Sequence, residues 1–253
     1  MPTYIHNILI FAVGFIASAI NAIAFGGSLV SFPTLIWLGV PPIIANATNT
    51  AGVWPGSLGA VWGYRREIAQ TAPRMYWLIV PSIVGAVAGA MLLRVTPPQV
   101  FERLVPALIL FATLLFAAQG CVQRWINVAP EHHGSRWFAA ALFFQFLVSV
   151  YGGYFGAGMG ILMLAAFAIL GHEDIHQMNG LKNLLGVFIN AVAATYFLAA
   201  GMVRASDAIV MASGATIGGL ASAGLARKMG RKAVRRAVIV IGFGMTIALL
   251  FAR

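Results

Sequence analysis

The sequence predicts an all-α integral membrane protein built from two homologous repeats, and three observations support this prediction. Hydrophobic residues make up 60% of the 253 positions and charged residues 9%, with a mean hydropathy of +0.89, which is far from the composition of a soluble domain. Apolar stretches of about 18 to 20 residues, enough to cross the hydrocarbon core of a bilayer, recur along the chain. An apolar run that leads into a glycine cluster occurs twice, about 130 residues apart.

The apolar stretches give the order of the predicted spans. They lie at 7–25, 75–93, 104–122, 137–155, 183–200, 207–226 and 233–252. An eighth stretch, 43–63, is diluted by Asn46, Thr48 and Asn49. None shows the alternation of apolar and polar positions that is typical of a strand, so every span is predicted to be helical.

Two segments are too long to be single helices. Residues 7–40 and 137–171 are apolar throughout, and at 1.5 Å per residue each would form a rod of about 50 Å. Each must therefore break, and the glycine clusters at 25–28 and 152–156 are the predicted positions, because glycine tolerates backbone conformations that other residues avoid. We expect a full helix and then a short one of about 12 to 15 residues in each repeat.

The distribution of positive charge decides between two topologies. If the short helices are re-entrant, there are eight spans, and nine of the 16 Lys and Arg residues lie on one side. If the short helices cross, there are ten segments with the N-terminus outside, and twelve of the 16 lie inside. Because cytoplasmic loops are rich in Lys and Arg, we prefer ten segments, with five crossings per repeat and the repeats inverted. The re-entrant alternative stays open.

The predicted organisation is a first repeat at 1–120, a polar linker at 121–136 and a second repeat at 137–253. The net charge of +10 is distributed over short gaps between spans, which indicates the positive-inside bias and not a nucleic-acid partner. Cys121 is the single cysteine, so neither a disulfide framework nor a cysteine-based metal site is expected. No P-loop, Ser/His/Asp set or metal-ligand spacing is present, so the sequence predicts no enzyme, cofactor or metal.

Polar residues inside membrane segments are costly and therefore informative. In residues 46–50, amide and hydroxyl groups either satisfy freed backbone groups or bind an oxyanion. In residues 179–183, Lys182 is the one cation not obviously in a loop, and it either snorkels at a helix end or contacts the substrate. Asn190 lies on the same helical face as Asn183. At the glycine breaks, helix N-termini would direct N–H groups and partial positive charge at whatever lies between them.

These groups define the candidate substrate site at the interface of the repeats. The predicted substrate-binding residues are Asn21, Gly26, Gly27, Ser28, Asn46, Thr48, Asn49, Gly158, Asn179, Lys182, Asn183 and Asn190.

A second type of glycine pattern is predicted to serve packing. Residues 85–89 and 214–218 each place small residues four positions apart, which lets helices approach closely. We expect Gly85→Ala to be milder than a leucine at Gly27 or Gly158.

At these residues the chain resembles the sulfite exporter TauE/SafE family of membrane transporters. The likeness is carried by residues 21–33, 41–42, 45–49 and 55–57 in the first half and by 153–160 and 174–183 in the second. It covers almost the whole chain, and its specificity lies in the order of the short motifs and in the duplication. One departure is the first glycine cluster, which is only Gly26-Gly27 after Phe25, where family members often have more glycine.

The resemblance implies a multi-pass carrier of the cell inner membrane that moves sulfite, organosulfonates or related small anions, most often outward. We therefore predict a secondary transporter with a small-anion substrate and the lipid bilayer as its partners, and homo-oligomerisation stays open. The alternative is an anion channel or a structural membrane subunit without carrier activity.

Overall fold

A computed structural model describes residues 2–24, 26–126, 135–169, 175–229 and 231–251, and within these ranges the chain is helical apart from short turns. The α-helices are α1 (Thr3–Ala24), α2 (Ser28–Trp37), α3 (Pro42–Gly63), α4 (Arg65–Ala69), α5 (Ile79–Val95), α6 (Pro98–Ile126), α7 (Ser135–Tyr154), α8 (Met159–Ile169), α9 (Ile175–Ala199), α10 (Ala205–Met229) and α11 (Arg231–Phe251). A 3-10 helix, Pro73–Leu78, leads into α5. Phe25 and residues 127–134 of the predicted linker lie outside the described residues.

Five segments of the described chain are long and apolar enough to cross a membrane. They are Thr3–Asn21, Pro73–Val95, Pro98–Ala118, Arg136–Tyr154 and His176–Ala199. Shorter apolar helical segments lie at Ser28–Trp37, Ala205–Ala221 and Val238–Leu249. The predicted all-helical, multi-pass membrane protein is therefore confirmed.

The first helix break lies where the sequence predicts it. Helix α1 ends at Ala24, and α2 begins at Ser28. The 10 residues of α2 span about 15 Å, roughly half the thickness of a bilayer core. A Cβ on Gly27 would collide with the carbonyl oxygen of Ala17, so α2 starts well back along α1 and not beyond its end.

The second break lies a few residues later than predicted. Gly153 belongs to the last turn of α7, and the chain breaks at 155–158 before the 11-residue helix α8. Gly156 and Gly158 adopt φ values of +77° and +79°, a region that glycine enters without steric cost. Gly153 instead packs against the backbone of Ala86.

Glycines set the direction in which neighbouring helices run. Gly214 and Gly218 of α10 face the carbonyl oxygens of Phe11 and Phe15 of α1, where a Cβ would collide. Residue numbers rise together along this contact, so α1 and α10 are parallel.

Helix α3 also packs on α10. Gly52 and Gly56 face Met211 and Ala215 of α10, so α3 also runs parallel to α10. Two helices with the same direction, α1 and α3, must be joined by a segment that returns between them. Helix α2 is that segment.

Helices α5 and α7 form a matching parallel pair. Gly85 and Gly89 of α5 face the carbonyl oxygens of Phe146 and Val150 of α7, as the packing pattern predicts. The prediction that Gly85→Ala is milder than a leucine at Gly27 or Gly158 stays a prediction, but the contact at Gly85 is too close for alanine to be harmless. A Cβ at Gly85 would lie 2.6 Å from the oxygen of Phe146, and a backbone atom cannot yield as a flexible side-chain end does.

Helix α9 runs opposite to α3. The backbone N–H of Arg204, shortly after the end of α9, donates to Thr48 Oγ1 near the start of α3 at 2.9 Å. A Cβ on Gly180, near the start of α9, would lie 3.5 Å from the Cβ of Tyr64, which follows α3. The start of each helix therefore lies beside the end of the other.

Helices α5 and α7 end on the side where α3 begins. Asn46 Nδ2 of α3 donates to the carbonyl oxygen of Tyr154 at 2.8 Å, and Thr96 Oγ1, after α5, donates to the hydroxyl of Tyr154 at 3.4 Å. The helices thus form two bundles. The first bundle, α1, α3 and α10, runs in one direction, and the second bundle, α5, α7 and α9, runs in the other.

Candidate functional site

A small polar cavity lies where the two helix breaks face each other. Its volume is about 20 Å³, and about 10 to 15 Å³ is enough to hold one water molecule. The polar side chains around it come from α1, α2, α3 and α9: Asn21, Ser28, Asn49, Thr50 and Asn190. The other lining residues are Val53, Trp54, Phe155, Gly156 and Met159. None of these lining residues is charged.

Asn21 is held in a single orientation by the first break. Its Oδ1 accepts a hydrogen bond from the backbone N–H of Gly27 at 2.7 Å. A backbone N–H can only donate, so the oxygen of the amide must face it and the NH₂ group must face away. Asn21 therefore offers hydrogen-bond donors to the cavity.

The side-chain amide of Asn49 is also held in one orientation, in this case by two serines of α2. Its Oδ1 accepts a hydrogen bond from Ser31 Oγ, and its Nδ2 donates to Ser28 Oγ at 3.2 Å. The Ser28 oxygen is thus used as an acceptor, which leaves its own O–H as a donor. Together, Asn21, Ser28 and Asn49 give the first-bundle side of the cavity a surplus of neutral donors.

The apolar walls of the cavity are fixed by packing. Trp54 Nε1 donates to the carbonyl oxygen of Val187 in α9 at 3.1 Å, which holds the indole against the second bundle. The ring of Phe155, in the second break, meets that of Phe32 of α2 edge to face, with the centroids 5.3 Å apart. Such walls limit the access of water and strengthen hydrogen bonds to anything bound inside.

Several predicted residues lie away from the cavity. Asn46 and Thr48 bind the backbone of Tyr154 and of Arg204, so these two satisfy backbone groups at helix ends, which is one of the two roles that the sequence left open. Gly158 lies against Ala112 of α6, with 3.4 Å between its would-be Cβ and the carbonyl oxygen.

The two glycines of the first break, Gly26 and Gly27, do not line the cavity, but their backbone shapes its surroundings. A Cβ on Gly26 would collide with the ring of Phe116, so Gly26 allows α6 to approach the break closely. Gly27 supplies the N–H that orients Asn21.

The predicted residues at 179–183 form a second polar cluster along α9. Lys182 is 2% exposed, and its Nζ donates to Asn179 Oδ1 at 2.8 Å. It therefore lies inside the protein and not at the lipid-facing surface that snorkelling requires. Asn183 is also buried, and its Nδ2 finds no acceptor among the described residues. This cluster lies seven residues, or about 10 Å, before Asn190 along the helix.

Six of the ten residues that line the cavity are not among the predicted site residues. Val53 and Trp54 follow Asn49 and Thr50 by four positions, and that spacing puts them on the same helical face. Gly156 belongs to the predicted glycine cluster 152–156 and lies two positions before the predicted site residue Gly158. The i+4 rule was thus the available signal on α3.

Comparison with known proteins agrees with the helical, transporter-like architecture. Residues 10–249 match the family model described as "Sulfite exporter TauE/SafE". The chain is 28% identical to a "Probable membrane transporter protein" of Haemophilus influenzae over 248 residues, which cover 96% of this chain and 94% of that protein.

Two further relatives are similar over comparable lengths. The chain is 26% identical to the "Probable membrane transporter protein ORF9" of Sinorhizobium sp, over 95% of this chain and 91% of the relative. It is also 26% identical to the "Probable membrane transporter protein YfcA" of Escherichia coli K12, over 96% and 89%. No solved structure matches the chain. Since the family model matches nearly the whole length, the chain belongs to the sulfite exporter TauE/SafE family of membrane transporters.

Proposed function

We propose that this chain is a secondary transporter that exports small oxyanions, such as sulfite or organosulfonates, across the cell inner membrane, with the polar cavity as its substrate site. The observation that carries the proposal is the orientation of Asn21, whose oxygen is held by Gly27 N–H so that only donors face inward. An anion removed from water needs such donors, and fixed neutral donors supply them without a buried counter-charge.

Inverted repeats are the architecture that fits this function. Helices α1 to α3 and α7 to α9 each follow the order long, short, long. Each unit begins with a helix that packs along a glycine-rich helix from the other half of the chain. Helix α1 packs on α10, and α7 packs on α5. The opposite directions of the two bundles favour ten crossings over eight, since eight would make α3 and α9 parallel. Many secondary transporters bind substrate at the interface of such repeats.

The same directions support the predicted orientation in the membrane. The basic segment 65–74 follows α3, and the basic segment 227–236 spans the end of α10 and the start of α11. Because α3 and α10 are parallel, both segments belong on one side. By the positive-inside rule this side is cytoplasmic. The start of α9, with Lys182, then faces the cytoplasm.

The size of the cavity indicates how substrate is handled. A space of about 20 Å³ accommodates one water molecule but not a sulfite ion. We therefore infer that an anion enters when the two bundles separate. Movement of one bundle against the other around a fixed site is how such transporters alternate access.

The cluster around Lys182 supplies a route from the cytoplasm to the cavity. The buried ammonium group of Lys182 is attractive to an anion, and so is the Nδ2 of Asn183, which has no acceptor among the described residues. We propose that the anion meets this cluster first and then the neutral donors near Asn190. The family description supports the class of substrate, and the transporter relatives support transport as the activity.

Asn21→Asp tests the site in the intact protein. An aspartate keeps the oxygen that accepts from Gly27 but replaces the inward donors with a negative oxygen. Loss of one hydrogen bond to a charged group corresponds to roughly 10- to 100-fold, and charge repulsion adds to it. In proteoliposomes we expect saturable sulfite or sulfonate flux for the wild type and a loss of at least about 100-fold for Asn21→Asp.

Thr50→Val is the matched control. Thr50 lines the cavity but its hydroxyl donates to the carbonyl oxygen of Asn46, so we expect nearly normal flux. Unchanged flux in Asn21→Asp would remove the cavity as the site. Flux that rises linearly with concentration would favour the channel alternative, and no flux of these anions in the wild type would favour a structural subunit.

A further inference from the structure

A second, much larger cavity lies outside the proposed transport route, on the outer face of the second bundle. It is a groove of about 540 Å³ between α5 and α7. Its walls are apolar or aromatic and include Trp77, Val80, Pro81, Val84, Phe138 and Phe146. Trp77, Val80 and Val84 are each more than half exposed, so the groove opens towards the lipid and not towards the core.

Two arginines lie at the level of one end of this groove, outside its apolar lining. Gln145 Nε2 of α7 donates to Ser82 Oγ of α5 at 2.8 Å, which fixes the register of the two parallel helices. Counting back from this contact, Arg74 and Arg136 lie at the same level, about 12 to 16 Å away, just beyond Trp77. Both arginines are exposed.

We propose that this groove binds an anionic phospholipid, with an acyl chain along the apolar walls and the headgroup phosphate between Arg74 and Arg136. Guanidinium groups pair with phosphate oxygens in a bidentate manner and stay charged at every physiological pH. Tryptophan at the mouth of the groove is typical of the interfacial level where a headgroup lies. Basic pockets between transmembrane helices on the cytoplasmic side bind such headgroups.

Electrostatics favour a lipid over a second copy of the chain. In a two-fold symmetric dimer the same patch occurs on both subunits, so this groove would face its own copy. Arg74 and Arg136 would then lie opposite a second pair of arginines, and like charges across an interface are unfavourable. A phospholipid with net negative charge fills the groove and neutralises the pair.

The test uses the purified full-length chain and native mass spectrometry with dioleoyl phosphatidylglycerol and dioleoyl phosphatidylcholine. A basic residue near the headgroups strengthens binding about fivefold, so we expect Arg74→Gln/Arg136→Gln to weaken phosphatidylglycerol binding about 30-fold. Binding of phosphatidylcholine should change little. Arg103→Gln, which removes an exposed arginine of α6, is the matched control and should leave both lipids bound as in the wild type.

A variant of the groove separates the acyl chain from the headgroup. Val84→Trp fills the groove and keeps both arginines, so it should also weaken phosphatidylglycerol binding, whereas excess inorganic phosphate should not displace the lipid. Unchanged phosphatidylglycerol binding in the double-arginine variant overturns the proposal. The proposal is also overturned if the wild type is a dimer and Val84→Trp is a monomer that still binds phosphatidylglycerol. If Val84→Trp does not fold, the arginine variant alone decides.

Discussion

Asn21 illustrates how one backbone contact limits a neutral side chain to donating hydrogen bonds towards the cavity. An amide offers both donors and acceptors, but the N–H of Gly27 occupies its oxygen and leaves the NH₂ group for the cavity. Asn46 has the same side chain but a different role. Its Nδ2 donates to the carbonyl oxygen of Tyr154 and so satisfies a backbone group at a helix end. The partner of the amide, and not the residue type, decides the role.

Lys182 carries the sharpest prediction at the residue scale. Its ammonium group is buried and bonded to Asn179, on the proposed route from the cytoplasm. Lys182→Met has similar length and no charge, so we expect the half-saturating anion concentration on the cytoplasmic side to rise roughly 10- to 100-fold. Lys182→Arg should retain part of the affinity, although a planar guanidinium does not replace a compact ammonium.

Proteoliposome flux, measured beside the thermal unfolding midpoint, distinguishes a substrate role from a structural one. If Lys182→Met lowers the unfolding midpoint but leaves the half-saturating concentration unchanged, Lys182 supports the fold alone. The asparagines and helix ends would then be the partners of the anion.

The polar segment 46–50 shows what the sequence could predict about the site and what it could not. Its composition indicates a functional region inside the membrane, and Asn49 and Thr50 do line the cavity. Thr48, one position away, points to Arg204 instead. Successive residues of a helix differ by about 100° in direction, so their roles depend on which neighbour packs on each face. That packing is set by α7, α9 and α10, which are distant in sequence.

At the scale of elements, glycine has two uses that look alike in the sequence. At 155–158 it permits a positive φ, and the helix breaks there. At Gly153 it permits close packing against Ala86, and the helix continues. The cluster predicts a break, but its position depends on which glycines contact α5. The sequence-based break was placed too early for this reason.

The glycine contacts predict a clear difference between two alanine substitutions. Gly85→Ala puts a Cβ against the backbone of Phe146, and overpacking of this kind costs about 1 to 3 kcal/mol. Gly244→Ala is the control, because a Cβ there meets nothing within 4 Å, and alanine favours the helix by up to about 1 kcal/mol.

Thermal unfolding of the detergent-purified protein measures both effects. We expect a lower midpoint for Gly85→Ala and an equal or higher one for Gly244→Ala. Equal midpoints for Gly85→Ala and the wild type would mean that α5 and α7 are not in backbone contact.

At the scale of the whole molecule, the two bundles do not coincide with the two predicted repeats, because each bundle contains helices from both halves of the chain. The first bundle combines α1 and α3 with α10, and the second combines α7 and α9 with α5. Backbone contacts through glycine join α1 and α3 to α10 and α5 to α7. Helices α3 and α9 instead meet across the cavity through side chains such as Trp54. The duplication and the charge pattern predict inverted repeats. The exchange of α5 and α10 between bundles has no local signal in the sequence, because it depends on contacts between distant segments.

The central claim is that transport requires α3 and α9 to separate around the cavity. A disulfide between Tyr64→Cys and Gly180→Cys tests it directly, since the two Cβ positions lie 3.5 Å apart, within the range that a disulfide bridges. In a Cys121→Ser background, the reduced double variant should carry saturable sulfite flux in proteoliposomes. Oxidation should abolish this flux and reduction should restore it. Full saturable flux in the oxidised variant, with the disulfide verified by mass spectrometry, would contradict the account.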